Sequence, residues 1–278
     1  MKLKNIPFFG RRTKSLIRQL KLAGYRPDMF DADEALRWNE AKFDFAAARA
    51  QLDGALTDLG RRAFDPARDS IHWLLAASIV QRFAPMRILE LGTFTGEFTA
   101  LLSRLYPQAE VVTVDLPDSD PLLQRTYGRK KSTKYEMEIA KRKVNLDHPN
   151  IKPVRCNSFF LLDSVEGPFD VVWVDAGHRF PDVAWDLCNA FHLVRRGGII
   201  LVDDVTIDPS FRSATLGPDC DIVLRYVAER VPITIRYFLK RRNEEAYLVQ
   251  KEYVVLCEKP LIWPPDNPSV SPTESVPA

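Results

Sequence analysis

The chain has 278 residues, 46% of them hydrophobic, and 39 Lys and Arg against 37 Asp and Glu leave a formal charge of +2. That suffices for one well-packed domain with additions or for two small ones, and the near balance excludes a global argument for nucleic acid or an acidic membrane. The four cysteines (Cys156, Cys188, Cys220, Cys257) form no CxxC pair, which argues against a zinc cluster or disulfide framework and suits a reducing compartment.

Up to Arg26 every charged residue is Lys or Arg. A short amphipathic helix is expected over 13–23, with Leu16, Ile17, Leu20 and Ala23 on one face. It docks on its own domain, or it touches a membrane surface or a partner, including a second copy of the chain. The segment lacks the apolar core and cleavage site of a secretory signal, and no apolar run reaches bilayer-spanning length. A mitochondrial presequence is compositionally open; a cytoplasmic location is the simpler expectation. Helical patterns follow over 33–62 and, after Pro66, over 68–83.

The rhythm then changes. Apolar strands are expected at 87–91, 111–114, 152–156, 169–174 and 199–202, separated by helices at 98–106, 183–194 and 221–231. The last of those helices precedes an antiparallel pair at 233–239 and 253–257, and the helix at 183–194 is expected to exit at Gly197-Gly198. Such alternation implies a parallel sheet covered on both faces, with ligands at the C-terminal strand ends. Glu90, Asp115, Asp175, Asp203 and Asp204 all sit at such ends. The segment 117–150 is long for one crossover and carries Arg125, Arg129, Lys130, Lys131, Lys134, Lys141, Arg142 and Lys143. It is a solvated face, or a rim for an anionic acceptor. The stretch after Pro260 is rich in Pro and Ser and is expected to be disordered.

Glu90-Leu91-Gly92-Thr93-Phe94-Thr95-Gly96 joins a strand to a helix, and Asp115 ends the next strand. An acid there can accept hydrogen bonds from both ribose hydroxyls of an adenosine. A dinucleotide fold keeps three glycines so that a pyrophosphate can sit on the helix N-terminus. Here Phe94 takes the middle position and Glu97 brings negative charge, both poor choices for a diphosphate. S-adenosylmethionine carries a sulfonium and an amino group, which tolerate Glu90 and Asp175. A ligand-free tight turn and a nicotinamide enzyme are the rival readings.

Asp175 with the Asp203-Asp204 pair would bring three carboxylates together, unfavourable unless a cation neutralises them. Hard oxygen ligands suit Mg²⁺, so Asp175, Asp203 and Asp204 are candidate metal ligands. The acids can instead close turns without metal.

The Glu90–Gly96 segment, with an aromatic in the middle-glycine slot, resembles the catechol and caffeoyl-CoA O-methyltransferase branch of class I S-adenosylmethionine-dependent methyltransferases. It is similar, too, to bacterial enzymes that methylate sugar hydroxyls. The resemblance spans roughly 66–258. It implies a Rossmann-like α/β fold: a seven-stranded, mostly parallel sheet with a terminal antiparallel strand, helices on both faces, and an N-terminal helical extension. The expected parts are an extension at 1–65, the methyltransferase domain at 66–258 and a tail at 259–278. It implies binding of S-adenosylmethionine by Glu90, Gly92, Thr93, Phe94, Gly96, Asp115, Leu116 and Asp175, with Asn157 and Ser158 by the adenine; a plain turn is the other reading of that pair. It implies catalysis by His178 as general base together with Asp175, with Mg²⁺ assistance, on a hydroxyl of a small molecule, sugar or phenolic. His178 could instead hydrogen-bond the following helix. A metal-free methyltransferase and a non-catalytic binding module are the alternatives. One departure is Phe98, where the family often has a small residue; Thr99 or backbone amides would then meet the methionine carboxylate.

Overall fold

A computed structural model of the chain describes residues 19, 27–66, 68–127, 132–213, 215–241 and 252–261. The helix expected over 13–23, most of the basic N-terminal run, Arg129–Lys131 and the tail beyond Leu261 lie outside the described residues. None of the helices among the described residues is long and apolar enough to cross a membrane.

The expected helix over 33–62 is two helices, α1 (Pro27–Glu40) and α2 (Phe45–Asp58), because the chain turns through Lys42 at φ 54°. Asp44 starts α2 by accepting the Ala47 amide at 3.0 Å, a cap that satisfies one of the free donors of the first turn. The helix at 68–83 shortens to α3 (His72–Ser78) and a 3₁₀ turn at Ile79–Gln81. Then follow β1 (Arg87–Leu91), α4 (Glu97–Leu105) and β2 (Glu110–Asp115). The long crossover holds two helices, α5 (Pro121–Tyr127) and α6 (Ser132–Asn145), before β3 (Ile151–Arg155), α7 (Leu161–Ser164) and β4 (Phe169–Val174). The chain closes with α8 (Asp182–Leu193), β5 (Val194–Val205), α9 (Asp219–Ala228), β6 (Thr234–Leu239) and β7 (Tyr253–Glu258).

The seven strands form one sheet in the order β3-β2-β1-β4-β5-β7-β6. β7 runs antiparallel to both neighbours and is inserted between β5 and β6, so the strand that is last in sequence is not last in space. Side chains alternate between the faces with period two. Ile88, Val111, Val171, Trp173, Leu201 and Leu256 pack under α1–α4, whereas Leu89, Val112, Val172, Val174, Ile200 and Val255 pack under α8 and α9. Burial on both faces is why these strands are continuous apolar runs.

Gly197-Gly198 is not the helix exit that the pattern suggested. α8 hands over directly to β5 at Val194, and the glycines lie inside the strand, where the register against β4 slips between Phe169 and Val171. A Cβ on Gly198 would come within 2.8 Å of the Asp170 carbonyl oxygen, so the pair allows a close backbone approach.

Candidate active site

The strand order reverses between β1 and β4: β2 and β3 continue to one side, and the chain returns to place β4 against the other edge of β1. Ligands of open α/β sheets bind in the crevice at such a switch point, beyond the C-terminal strand ends. The two strands touch there. Asp175 N donates to Leu91 O at 2.8 Å, and a Cβ on Gly92 would stand 2.3 Å from the Asp175 carbonyl oxygen. Gly92, at φ 102°, is thus required by the chain's own packing.

The turn after β1 is braced from β2 and α6. Phe94 N and Leu116 N donate to the two oxygens of Asp115 at 2.9 and 2.8 Å. Phe94 adopts φ 46°, strained for an aromatic residue, and its side chain is 40% exposed at the rim of the crevice. Arg142 from α6 is buried, donates to the Phe94 carbonyl, and reaches Asp118 at 2.8 Å and Asp115 at 3.6 Å. Asn145 Nδ2 donates to Thr95 O at 2.8 Å. Beneath the turn, Thr113 donates to Glu90 Oε2 at 2.5 Å and Thr99 donates to the same oxygen. Burial pushes the Glu90 carboxyl up to about 7, against the pull of those two hydroxyls. Burial also raises Asp115, with Arg142 opposing.

The second half of the site is the acidic edge of β4 and β5. The register of β5 against β7 slips between Val202 and Val205, and Asp204 takes φ 52° in that irregularity. Its carboxylate thereby faces the loop after β4. His178 Nε2 lies 3.6 Å from Asp175 Oδ1 and 3.6 Å from Asp204 Oδ2. Burial lowers His178 below the ordinary histidine value although Asp204 and Asp203 pull it up, so the neutral imidazole is favoured. Asp175 is raised well above the carboxylate range, by burial first and then by Asp203. Lys240, just beyond β6, completes the edge: its Nζ donates to Asp203 Oδ2 at 2.7 Å and to Asp204 Oδ1.

Residues 89–205 match a family model described as a methyltransferase domain. The O-methyltransferase hkm8 of Aspergillus hancockii is 27% identical over 143 residues, and the chain spans about half the length of that curated relative, 50%. Among solved structures, the O-methyltransferase TomG from Streptomyces achromogenes, in complex with SAM, aligns over 85% of this chain and 99% of its own, at 19% identity and a TM-score of 0.46. An O-methyltransferase from Bacillus cereus, in complex with SAH, aligns over 84% of this chain and 100% of its own, at 16% identity and a TM-score of 0.45.

The sheet brings Glu90, Gly92, Thr93, Phe94, Gly96, Asp115, Leu116 and Asp175 to one crevice, and His178 beside Asp175 and Asp204. Its donor set suits S-adenosylmethionine: an acid for the ribose at the end of β2, and carboxylates for a sulfonium and an amino group at the ends of β1 and β4. Asn157 starts the 3₁₀ turn Ser158–Phe160 by accepting the Phe159 amide at 2.9 Å, and Ser158 O accepts Asn189 Nδ2 at 3.2 Å. Thr99 donates its hydroxyl to Glu90. Phe98 packs inward against Trp173 and His72, with ring centroids 4.8 and 4.9 Å apart.

Mg²⁺ fits these residues poorly. Asp175, His178 and Asp204 do offer three atoms within 4.8 Å of one another, but Asp203 stands outside that group. One of the three donors is an imidazole, which suits softer ions than Mg²⁺. Asp204 already shares Lys240 with Asp203. A dication about 5 Å from an ammonium is repelled by on the order of 7 kcal/mol at an effective dielectric of about 20.

Two functional residues escaped the sequence pattern. Lys240 opens a Lys-Arg-Arg run that reads as a charged loop, and only β6–β7 pairing turns it inward. Arg142 belongs to the basic crossover, yet it is 2% exposed and holds the Phe94 turn rather than a rim. The signal for Lys240 was indirect: three predicted carboxylates at one edge already required a cation.

Proposed function

We propose that the chain is an S-adenosylmethionine-dependent O-methyltransferase acting on a hydroxyl of a small molecule. The observation that carries the reading is His178, a half-buried imidazole with Nε2 between Asp175 and Asp204 at the edge of the crevice that ends in Asp115. Bound in that crevice, S-adenosylmethionine supplies an electrophilic methyl carbon on a sulfonium. Asp115 accepts the ribose hydroxyls, while Glu90 and Asp175 face the positive groups of the cofactor. The exposed ring of Phe94 excludes water from the crevice mouth.

An alcohol or phenol is a weak nucleophile until its proton leaves. His178 takes that proton at Nε2, and Asp204 stabilises the imidazolium that forms, as an acid beside a histidine base does elsewhere. Alignment of the acceptor oxygen with the methyl carbon contributes the rest of the rate. A metal held by Asp175, His178 and Asp204 would take His178 as a ligand and so remove it as the base; at that group the two roles exclude each other.

The test pairs calorimetric binding of S-adenosylmethionine with transfer of labelled methyl to a panel of sugars and phenols. His178→Ala should lower turnover by about 10²–10⁴-fold while leaving cofactor affinity nearly unchanged. Turnover retained by the variant sinks the base assignment. Cofactor binding with no transfer to any acceptor would favour a non-catalytic module.

A further inference from the structure

The acid edge resembles a metal site in composition and differs from one in what already fills it. Lys240 is held from both sides of its backbone, where its N–H donates to Glu252 O at 2.9 Å and its carbonyl accepts the Ile71 amide at 2.9 Å. Its side chain is 7% exposed and that of Asp203 is 3% exposed, so the pair is a built interior contact rather than a surface ion pair. One ammonium takes one oxygen from each of two adjacent acids, and Asp204 reaches it only by adopting a positive φ. The other oxygen of Asp204 is the one beside His178.

We propose that Lys240 is the resident cation of this domain: its ammonium takes the place of a divalent ion, and the site works without metal. Lys240 is a positioning residue. It fixes Asp204, and through Asp204 it fixes the imidazole of His178. The placement of the base rests on the functional reading above; the exclusion of metal does not.

Mn²⁺ binding, read by electron paramagnetic resonance on the full chain, tests this apart from any turnover. Wild type and Lys240→Arg should leave added Mn²⁺ free. Lys240→Met, with the ammonium gone and Asp175, His178 and Asp204 exposed to one another, should bind Mn²⁺ at least about 100-fold more tightly than wild type. Adding Asp204→Asn to that variant should abolish the gain. Stoichiometric Mn²⁺ binding by wild type that Asp204→Asn removes would overturn the proposal, and so would a folded Lys240→Met that gains no affinity. If Lys240→Met fails to fold, the wild-type arm alone decides. Methyl transfer, once an acceptor is found, should survive EDTA; failure to bind S-adenosylmethionine would refute the functional reading and leave the metal result standing.

Discussion

Burial pulls the two sides of this site in opposite directions, since it always disfavours the charged form. It lowers His178 and raises Glu90 and Asp175, which favours a neutral imidazole beside carboxyls that give up their protons reluctantly. For Glu90 the consequence for stability has a definite sign. Its carboxyl rises from an ordinary 4.5 to about 7 on folding, so across that interval the native state holds a proton that the unfolded chain has lost. Stability contributed by this group is fully present at low pH and is lost as pH rises through about 7, by on the order of 3 kcal/mol. Glu90→Gln keeps an oxygen for Thr99 and Thr113 and cannot ionise. Denaturant melts should show the variant more stable than wild type near about pH 8 and no more stable near about pH 5. An equal effect at both pH values would mean that the carboxyl titrates normally.

Elements place these groups, and here glycine has two opposite meanings. At Gly92 the strand end of β1 meets the Asp175 carbonyl, and φ is 102°. Gly92→Ala should therefore cost more than about 3 kcal/mol, through strain and separation of β1 from β4. Gly54 lies inside α2 with nothing within 4 Å of a built Cβ. Gly54→Ala should stabilise by about 0.4–1 kcal/mol, because the unfolded chain loses freedom at no native cost. Thermal melts of the two variants should move in opposite directions. The same scale explains what could be read beforehand. Strands ending in acids are legible as apolar runs followed by Asp or Glu, and so the acidic edge, the parallel sheet and the antiparallel pair were all visible. The turn of Asp204 arises from a register slip against β7, a strand some fifty residues away that no local pattern encodes. Asn157 shows the limit differently: an Asn at a strand end caps a turn as readily as it meets a ligand, and the letters are the same.

At the scale of the molecule, the helices before residue 66 belong to the core that supports the site. Trp38 is 2% exposed and packs against Phe43, Phe45 and Phe238, with its ring centroid 5.7 Å from that of Phe238. Arg37 donates to Tyr237 O at 2.5 Å and Leu239 N donates to Glu34 at 3.1 Å, so α1 fastens onto the end of β6, next to Lys240. Trp38→Ala should cost about 3–5 kcal/mol, and the loss should reach the acid edge. Denaturation followed by circular dichroism and by cofactor protection should fall together in one transition. Two separate transitions would instead mark 1–65 as a unit of its own.

The position of β7 gives the chain an order of completion. β6 emerges first but has no neighbour in the sheet until β7 slots between it and β5, and Lys240 takes its backbone partner from Glu252 at the start of that last strand. A nascent chain that has reached Leu239 already owns the crevice beyond β1 and β4, its histidine and all three acids. It does not yet own the charge that steadies them. An interrupted product ending before Tyr253 would thus hold the crevice without the strand that fixes Lys240 against Asp203 and Asp204.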